Sequence, residues 1–196
     1  MKDQRILLGM SGGMDSACAV DLLKDEGYEV CGAVLAMHGY SDTEGAYDAA
    51  RSLGINIVTV NCAADFEHEV CGPFCREYAA GRTPNPCIIC NEKVKFAKLL
   101  EEADRQGIKM IATGHYAGIE RLENGRYCVT KAADEKKDQS YMLWRLSQDV
   151  LSHLILPLAN EEKSSVREDA RREGIVSADR EESQEICFIL RNHPTE

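Results

Sequence analysis

The chain has 196 residues, 44% of them hydrophobic, enough for one globular domain with a substantial core. Its formal net charge of −10 argues against broad, nonspecific nucleic-acid binding, which needs a positive footprint, but leaves room for a local basic patch. No apolar run approaches the ~20 residues of a membrane span, and the N-terminus leads straight into a strand-like segment, so the expected setting is the cytoplasm, without membrane contact. In that reducing compartment nine cysteines point to metal or catalytic roles rather than disulfides.

Ile6-Leu7-Leu8 reads as a buried strand, and Ala17 to Glu26 as a helix with Ala19, Leu22 and Leu23 on one face and Gly27 as its stop. Between them lies Gly9-Met10-Ser11-Gly12-Gly13-Met14-Asp15-Ser16. Adjacent glycines at a strand-to-helix turn let the backbone approach an anion, and the unpaired amides and dipole of the new helix favour a phosphate there. Ser11 and Ser16 add hydroxyl donors, and Asp15 is placed to hold Mg2+ on the phosphates. The stretch contains neither Gly-x-x-x-x-Gly-Lys-Ser/Thr nor Gly-x-Gly-x-x-Gly, so no loop lysine follows a γ-phosphate and no dinucleotide fingerprint is present. Ser11-Gly12-Gly13-Met14-Asp15-Ser16 resembles the PP-loop of ATP pyrophosphatases, which split ATP between its α- and β-phosphates.

Glu29 to Met37 and Ile55 to Val60 read as further strands, with a helix from Asp42 to Leu53 ended by Gly54. Alternation of strands and helices predicts a parallel sheet covered on both faces, with ligands beyond the strand C-termini, where Gly9–Ser16, Leu35 and Asn61 fall. Residues 64–80 read as helical and carry Cys71 and Cys75. Two prolines then restrict the loop Gly81 to Asn91, and a helix is expected to begin near Ile88 or Asn91 and run to Gln106. Cys90 falls at or just inside that helix N-terminus, where a thiolate is favoured. Lys109 to Thr113 is a fourth parallel strand, ending in Gly114-His115-Tyr116. Asn124-Gly125 marks a surface hairpin within Ile119 to Thr130. A helical stretch with Met142, Leu143, Trp144 and Leu146 follows, and Tyr141 and Trp144 are expected in the core rather than as base-stacking surfaces. Helices are expected near 147–155 and 161–173, before Ser183-Gln184-Glu185-Ile186-Cys187-Phe188-Ile189.

The segments Ser11–Ser16, Arg82–Asn91, Gly114–Tyr116, Lys137–Leu143 and Ser183–Ile189 occur in the order found in tRNA-specific 2-thiouridylases, and the resemblance covers nearly the whole chain. It implies an α/β PP-loop domain of the adenine nucleotide alpha-hydrolase type over residues 1–146, with a small helical extension over 147–196. It further implies ATP with Mg2+, adenylation of the C2 oxygen of a wobble uridine in tRNA, and replacement of that oxygen by sulfur with release of AMP. Gly9, Met10, Ser11, Gly12, Gly13, Met14, Asp15 and Ser16 would bind the phosphates, and Leu35 and Gly114 would line the adenosine pocket. Asn85, Pro86 and Cys87 would face the target base, and Lys137, Asp138 and Gln139 would contact tRNA. Cys90 matches the family's nucleophile and Cys187 its persulfide carrier, and the sulfur donor would be a persulfide carrier or, for cluster chemistry, sulfide.

Many relatives carry Asp where this chain has Cys87. Cys87, Cys90 and Cys187 could therefore hold a [4Fe–4S] cluster with one open iron, and persulfide and cluster chemistry both stay open. A third option, zinc on Cys71, Cys75, Cys87 and Cys90, would consume the nucleophile. The family normally continues into a linker domain and a β-barrel that grip tRNA, so a partner chain is one expected source of those parts. Two other functions compete: a PP-loop enzyme adenylating a small molecule, and an accessory module without turnover.

Overall fold

The structure, a computed structural model, describes residues 4–39, 41–172, 174–175 and 186–189. Ser183, Gln184 and Glu185 of the last motif lie outside them. Strand β1 (Arg5–Met10) leads into helix α1 (Met14–Asp25), followed by β2 (Glu29–Ala36), α2 (Thr43–Ser52) and β3 (Ile57–Asn61). Helix α3 (Ala63–Phe66) passes through a π-helical turn, Glu67–Cys71, into α4 (Gly72–Ala79). Helix α5 (Pro86–Cys90) does the same through Asn91–Lys95 into α6 (Phe96–Gln106). Then come β4 (Met110–Thr113), the hairpin β5 (Gly118–Arg121) and β6 (Tyr127–Thr130), a 3-10 turn at Ser140–Leu143, α7 (Gln148–His153), β7 (Leu154–Ile155) and α8 (Lys163–Arg172).

Five strands form one parallel sheet in the order β3-β2-β1-β4-β7, with Met10 opposite Val34 and Gly9 opposite Thr113. The α/β architecture is that expected from the alternation of elements. Because β1 has β2 on one side and β4 on the other, chain direction around the sheet reverses at β1, and a crevice opens beyond its C-terminal end. β1 is buried on both faces: Ile6, Leu8 and Met10 pack with α1 and α2, and Leu7 with α6. α8 is fastened to α1 by a third cluster that includes Met14, Cys18, Val166 and Ala170. Among the described residues no helix is long and apolar enough to cross a membrane.

Three expectations change. Tyr141 and Trp144 are 67% and 62% exposed, not core. The turn at Ser140–Leu143 is 3-10; Leu143 and, three residues on, Leu146 point inward, while Tyr141 before them and Trp144 between them face out. The helix expected to start at Ile88 or Asn91 starts at Pro86, whose fixed φ suits a first helical position. Cys90 therefore sits a full turn inside it. The helix expected over 147–155 stops at His153, and Leu154–Ile155 instead joins the sheet edge beside Ile111 and Ala112.

Gly114 fixes the distance between the end of β4 and the first turn of α1. A Cβ there would lie 2.9 Å from Asp15 C and Ser16 N, both backbone atoms. At Gly9 the nearest atom, also at 2.9 Å, is a methyl of the Leu99 side chain, which can rotate away. Gly114→Ala is therefore expected to lower unfolding free energy by about 1–3 kcal/mol in urea denaturation, with Gly9→Ala costing less.

Candidate nucleotide and thiol site

The turn between β1 and α1 is closed by its own hydroxyls. The Ser11 amide donates to Ser16 Oγ at 3.3 Å, the Gly13 amide donates to Ser11 Oγ at 3.4 Å, and the Ser16 hydroxyl donates to the Gly13 carbonyl at 2.9 Å. Gly12 has φ +75°, the left-handed region that favours glycine, and a Cβ there would meet Asp42 and the Ala46 amide. No side chain caps α1 at Gly13, so the first-turn amides face the crevice with the helix dipole behind them. This is the arrangement that attracts a phosphate.

The crevice is a cavity of about 680 Å³, a size typical of small-molecule sites. It is lined by all of Gly9, Met10, Ser11, Gly12, Gly13, Met14, Asp15 and Ser16, together with Leu35 and Gly114. Residues 105 positions apart in sequence thus share one wall. Gln139 and Cys187 line it too, whereas Asn85, Pro86, Cys87, Cys90, Lys137 and Asp138 do not.

Sequence reasoning missed the cavity's cations. Lys163, the first residue of α8, donates from Nζ to both Asp15 carboxylate oxygens at 2.5 and 2.6 Å. The Tyr116 hydroxyl donates to the same carboxylate at 3.2 Å. Lys95 and Arg167 also line the cavity. No spacing rule ties Lys163 to a loop so distant in the chain. The π-helical turn that carries Lys95 has no hydrophobic signature of its own.

Of the candidate thiols, Cys187 lines this cavity and Cys90 lies behind its Met37 wall. Cys187 lies in a short turn closed by the Ile189 amide donating to the Ile186 carbonyl at 3.0 Å. Phe188 anchors that turn, edge-on to Phe66 and Phe74 at centroid distances of 5.5 and 5.2 Å. Cys90 is 7% exposed and donates from Sγ to Met37 Sδ at 3.8 Å, and Met37 lines the cavity. Burial pushes the Cys90 thiol up to about 11; Lys95 opposes this, and Cys187, Cys87 and Cys62 add to it. Cys187 is also raised, by burial first and then by Cys87, with Lys95 again pulling down. The expectation of a helix-stabilised Cys90 thiolate is thereby corrected: one turn inside the helix and out of water, Cys90 is a neutral thiol at pH 7.

The remaining candidates sit around the rim. The Asn85 side chain accepts from the Cys87 amide at 3.1 Å, capping α5 and leaving Cys87 exposed and Pro86 buried. Asp138 is used internally: burial favours its neutral form, but bonds from the Ala132 amide and from Ser140 outweigh this and hold its carboxyl below the usual range. Gln139 accepts from the Tyr116 amide at 3.0 Å. Lys137 is half-buried on the same loop. His115 donates to or accepts from Thr113 Oγ1 at 2.8 Å, and burial, with Lys95 nearby, keeps its ring neutral. Among the described residues no three His, Cys, Asp or Glu side chains are arranged to hold a metal ion. Neither Cys87, Cys90 and Cys187 nor Cys71, Cys75, Cys87 and Cys90 forms a ready ligand set among the described residues.

Residues 4–191 match the family described as the tRNA methyl transferase HUP domain. Similar curated proteins include the tRNA-specific 2-thiouridylase MnmA of Clostridium acetobutylicum, 41% identical over 97% of this chain and 57% of that protein. MnmA of Chlorobium phaeovibrioides is 44% identical over 96% of this chain and 54% of its own length. The chain spans about half the length of the curated relatives it matches. Among solved structures, NMN synthetase from Francisella tularensis superposes with a TM-score of 0.56 at 20% identity, over 93% of this chain and 67% of that one. A glutamine-dependent NAD+ synthetase from Acinetobacter baumannii, solved with adenosine diphosphate, gives 0.55 at 15% identity over 87% of this chain and 29% of that one. At such identities the likeness is one of fold. The family match across nearly the full sequence is of another order, and by it this chain belongs to the tRNA methyl transferase HUP-domain family.

Proposed function

We propose that this chain carries the ATP-binding and thiol-bearing parts of an enzyme that transfers sulfur to a tRNA uridine, through an adenylated base and cysteine-borne sulfur. One observation carries the reading: Cys187 lines the same cavity as the Ser11–Ser16 loop. The names of the curated relatives, all given as tRNA-specific 2-thiouridylases, support it. A cysteine pair beside a phosphate cradle suits sulfur transfer better than methyl transfer.

In this reading the loop amides and α1 hold the triphosphate, and Leu35 and Gly114 flank the adenosine. Asp15, with the hydroxyls of Ser11 and Ser16, offers hard oxygen donors. A single carboxylate suits Mg2+ when phosphates complete its shell, so these residues fit the ion, which would offset phosphate charge as pyrophosphate leaves. The uridine O2 attacks the α-phosphate, forming the O–P bond as pyrophosphate departs, which turns a poor leaving group into AMP. The outer sulfur of a Cys187 persulfide then attacks C2 and displaces AMP. Cys90 thiolate attacks Cys187 Sγ next, leaving thiouridine and a Cys90–Cys187 disulfide, which an external thiol reduces. Asn85, Pro86 and Cys87 are the nearest candidates to meet the base, and Lys137, Asp138 and Gln139 to meet the tRNA backbone.

With tRNA, ATP, Mg2+ and a persulfide donor, the chain should form AMP and thiolated uridine, read by nucleoside mass spectrometry, and Cys187→Ser should abolish the thiolated product. ATP binding without AMP or thiolated product would sink this reading and leave a nucleotide-binding module. A second expectation concerns pH. Because the reactive species is the thiolate, alkylation at the Cys90 peptide should keep rising, about tenfold per pH unit, through pH 9 toward 11. Lys95→Ala should slow it at fixed pH, since that cation favours the thiolate. A plateau below pH 9 would contradict the burial argument.

A further inference from the structure

We propose that Lys163 is the cation of a pyrophosphate subsite in this cavity, held by Asp15 while no ligand is bound and passed to the phosphates when Asp15 turns to Mg2+. The inference rests on the reading of the cavity as an ATP site. The loop Gly9–Ser16 contains no lysine or arginine, so its amides and the helix dipole alone would have to balance a triphosphate. The fold supplies the missing charge from 148 residues away: Lys163 Nζ reaches both oxygens of Asp15.

The geometry separates a fixed part of Lys163 from a movable one. Its backbone amide donates to Asp134 Oδ2 at 3.1 Å, and Asp134 is itself only 9% exposed. Its ammonium lies 5.2 Å from the Tyr116 ring centroid, and the side chain is 9% exposed although it lines the cavity. The four-carbon stem can swing while its root stays pinned to Asp134 in the loop that follows β6. Arg167, one helical turn further along α8, lines the same wall.

Asp15 has one carboxylate and two claimants. Were it to ligate a divalent cation, the nearly buried Lys163 ammonium would lose its counter-charge, which is costly unless another anion takes over. The nearest anion would be the phosphate chain on the adjoining loop amides, and an ammonium on a β- or γ-oxygen favours the departing pyrophosphate. A pair serving only to join α1 to α8 would have no reason to line the cavity, since the apolar contacts of Met14, Cys18, Val166 and Ala170 already join them.

Titration calorimetry with Mg2+ and either inorganic pyrophosphate or AMP tests this on the 196-residue chain. The wild type should bind both. Lys163→Met should weaken pyrophosphate by about tenfold or more, the scale of one charge-assisted hydrogen bond, and AMP by less than about twofold. Lys163→Arg should restore most of the pyrophosphate affinity. Unchanged pyrophosphate binding in folded Lys163→Met, or equal losses for both ligands, would overturn the assignment. A wild type that binds neither ligand would overturn the nucleotide reading, and this inference with it. If Lys163→Met does not fold, Lys163→Gln, which can still donate one hydrogen bond to Asp15, carries the same comparison.

Discussion

The carboxylate of Asp15 is where three remote parts of the chain meet. It belongs to the first turn of α1, accepts from Tyr116 just beyond β4, and pairs with Lys163 at the start of α8. A buried ion pair is weak evidence of net stability, because desolvation offsets much of the attraction. Breaking one by removing a single partner is another matter, at about 3–5 kcal/mol for full burial and less for a pair whose acid is 34% exposed. What such a pair secures here is placement. The loop cannot drift from the end of β4 without leaving the Lys163 ammonium unbalanced, and α8 cannot dock elsewhere without doing the same to Asp15.

The thiols follow a different logic. Cys90 is raised mainly by burial, so the interior that protects it from stray oxidation also keeps it unreactive. Lys95 is the countervailing cation for both Cys90 and Cys187. It sits in a π-helical turn, where the extra residue per turn shifts the side chains that follow relative to those before. Cys90 in the preceding α5 and Leu99 in α6 thereby both face the interior, with Lys95 between them lining the cavity. Met37 separates the Cys90 sulfur from the cavity, and a thioether, with three rotatable bonds, is an adaptable residue to put at that position.

The parts of this fold that repeat a period were legible in advance. β1, the loop and α1 announce themselves by an apolar run, paired glycines and helical spacing, and β2 and β3 by β-branched content. Tertiary context decided the rest. Trp144 closes a single 3-10 turn and faces out beside the buried Leu143, which the apolar content of the stretch did not reveal. The two-residue strand Leu154–Ile155 is too short to carry a pattern, and only the open edge of β4 makes it a strand. Ten candidate nucleotide residues share one cavity because strand ends in a parallel sheet converge by topology. Lys163 and Lys95 could not be found by the same route: a lone lysine on a polar helix reads as a solvated cation until the fold shows what it touches.

Charge distribution links the cavity to the whole molecule. A chain with net charge −10 repels polyanions at long range, yet Lys95, Lys163 and Arg167 converge on one crevice beside an uncapped helix N-terminus. Field lines focus in such a concavity, where the walls exclude solvent and ions screen less than at the open surface. Locally the balance therefore reverses: the crevice lining sets Lys95, Lys163 and Arg167 against Asp15 and Asp42, so a small anion meets a more favourable field there than the net charge of the chain suggests.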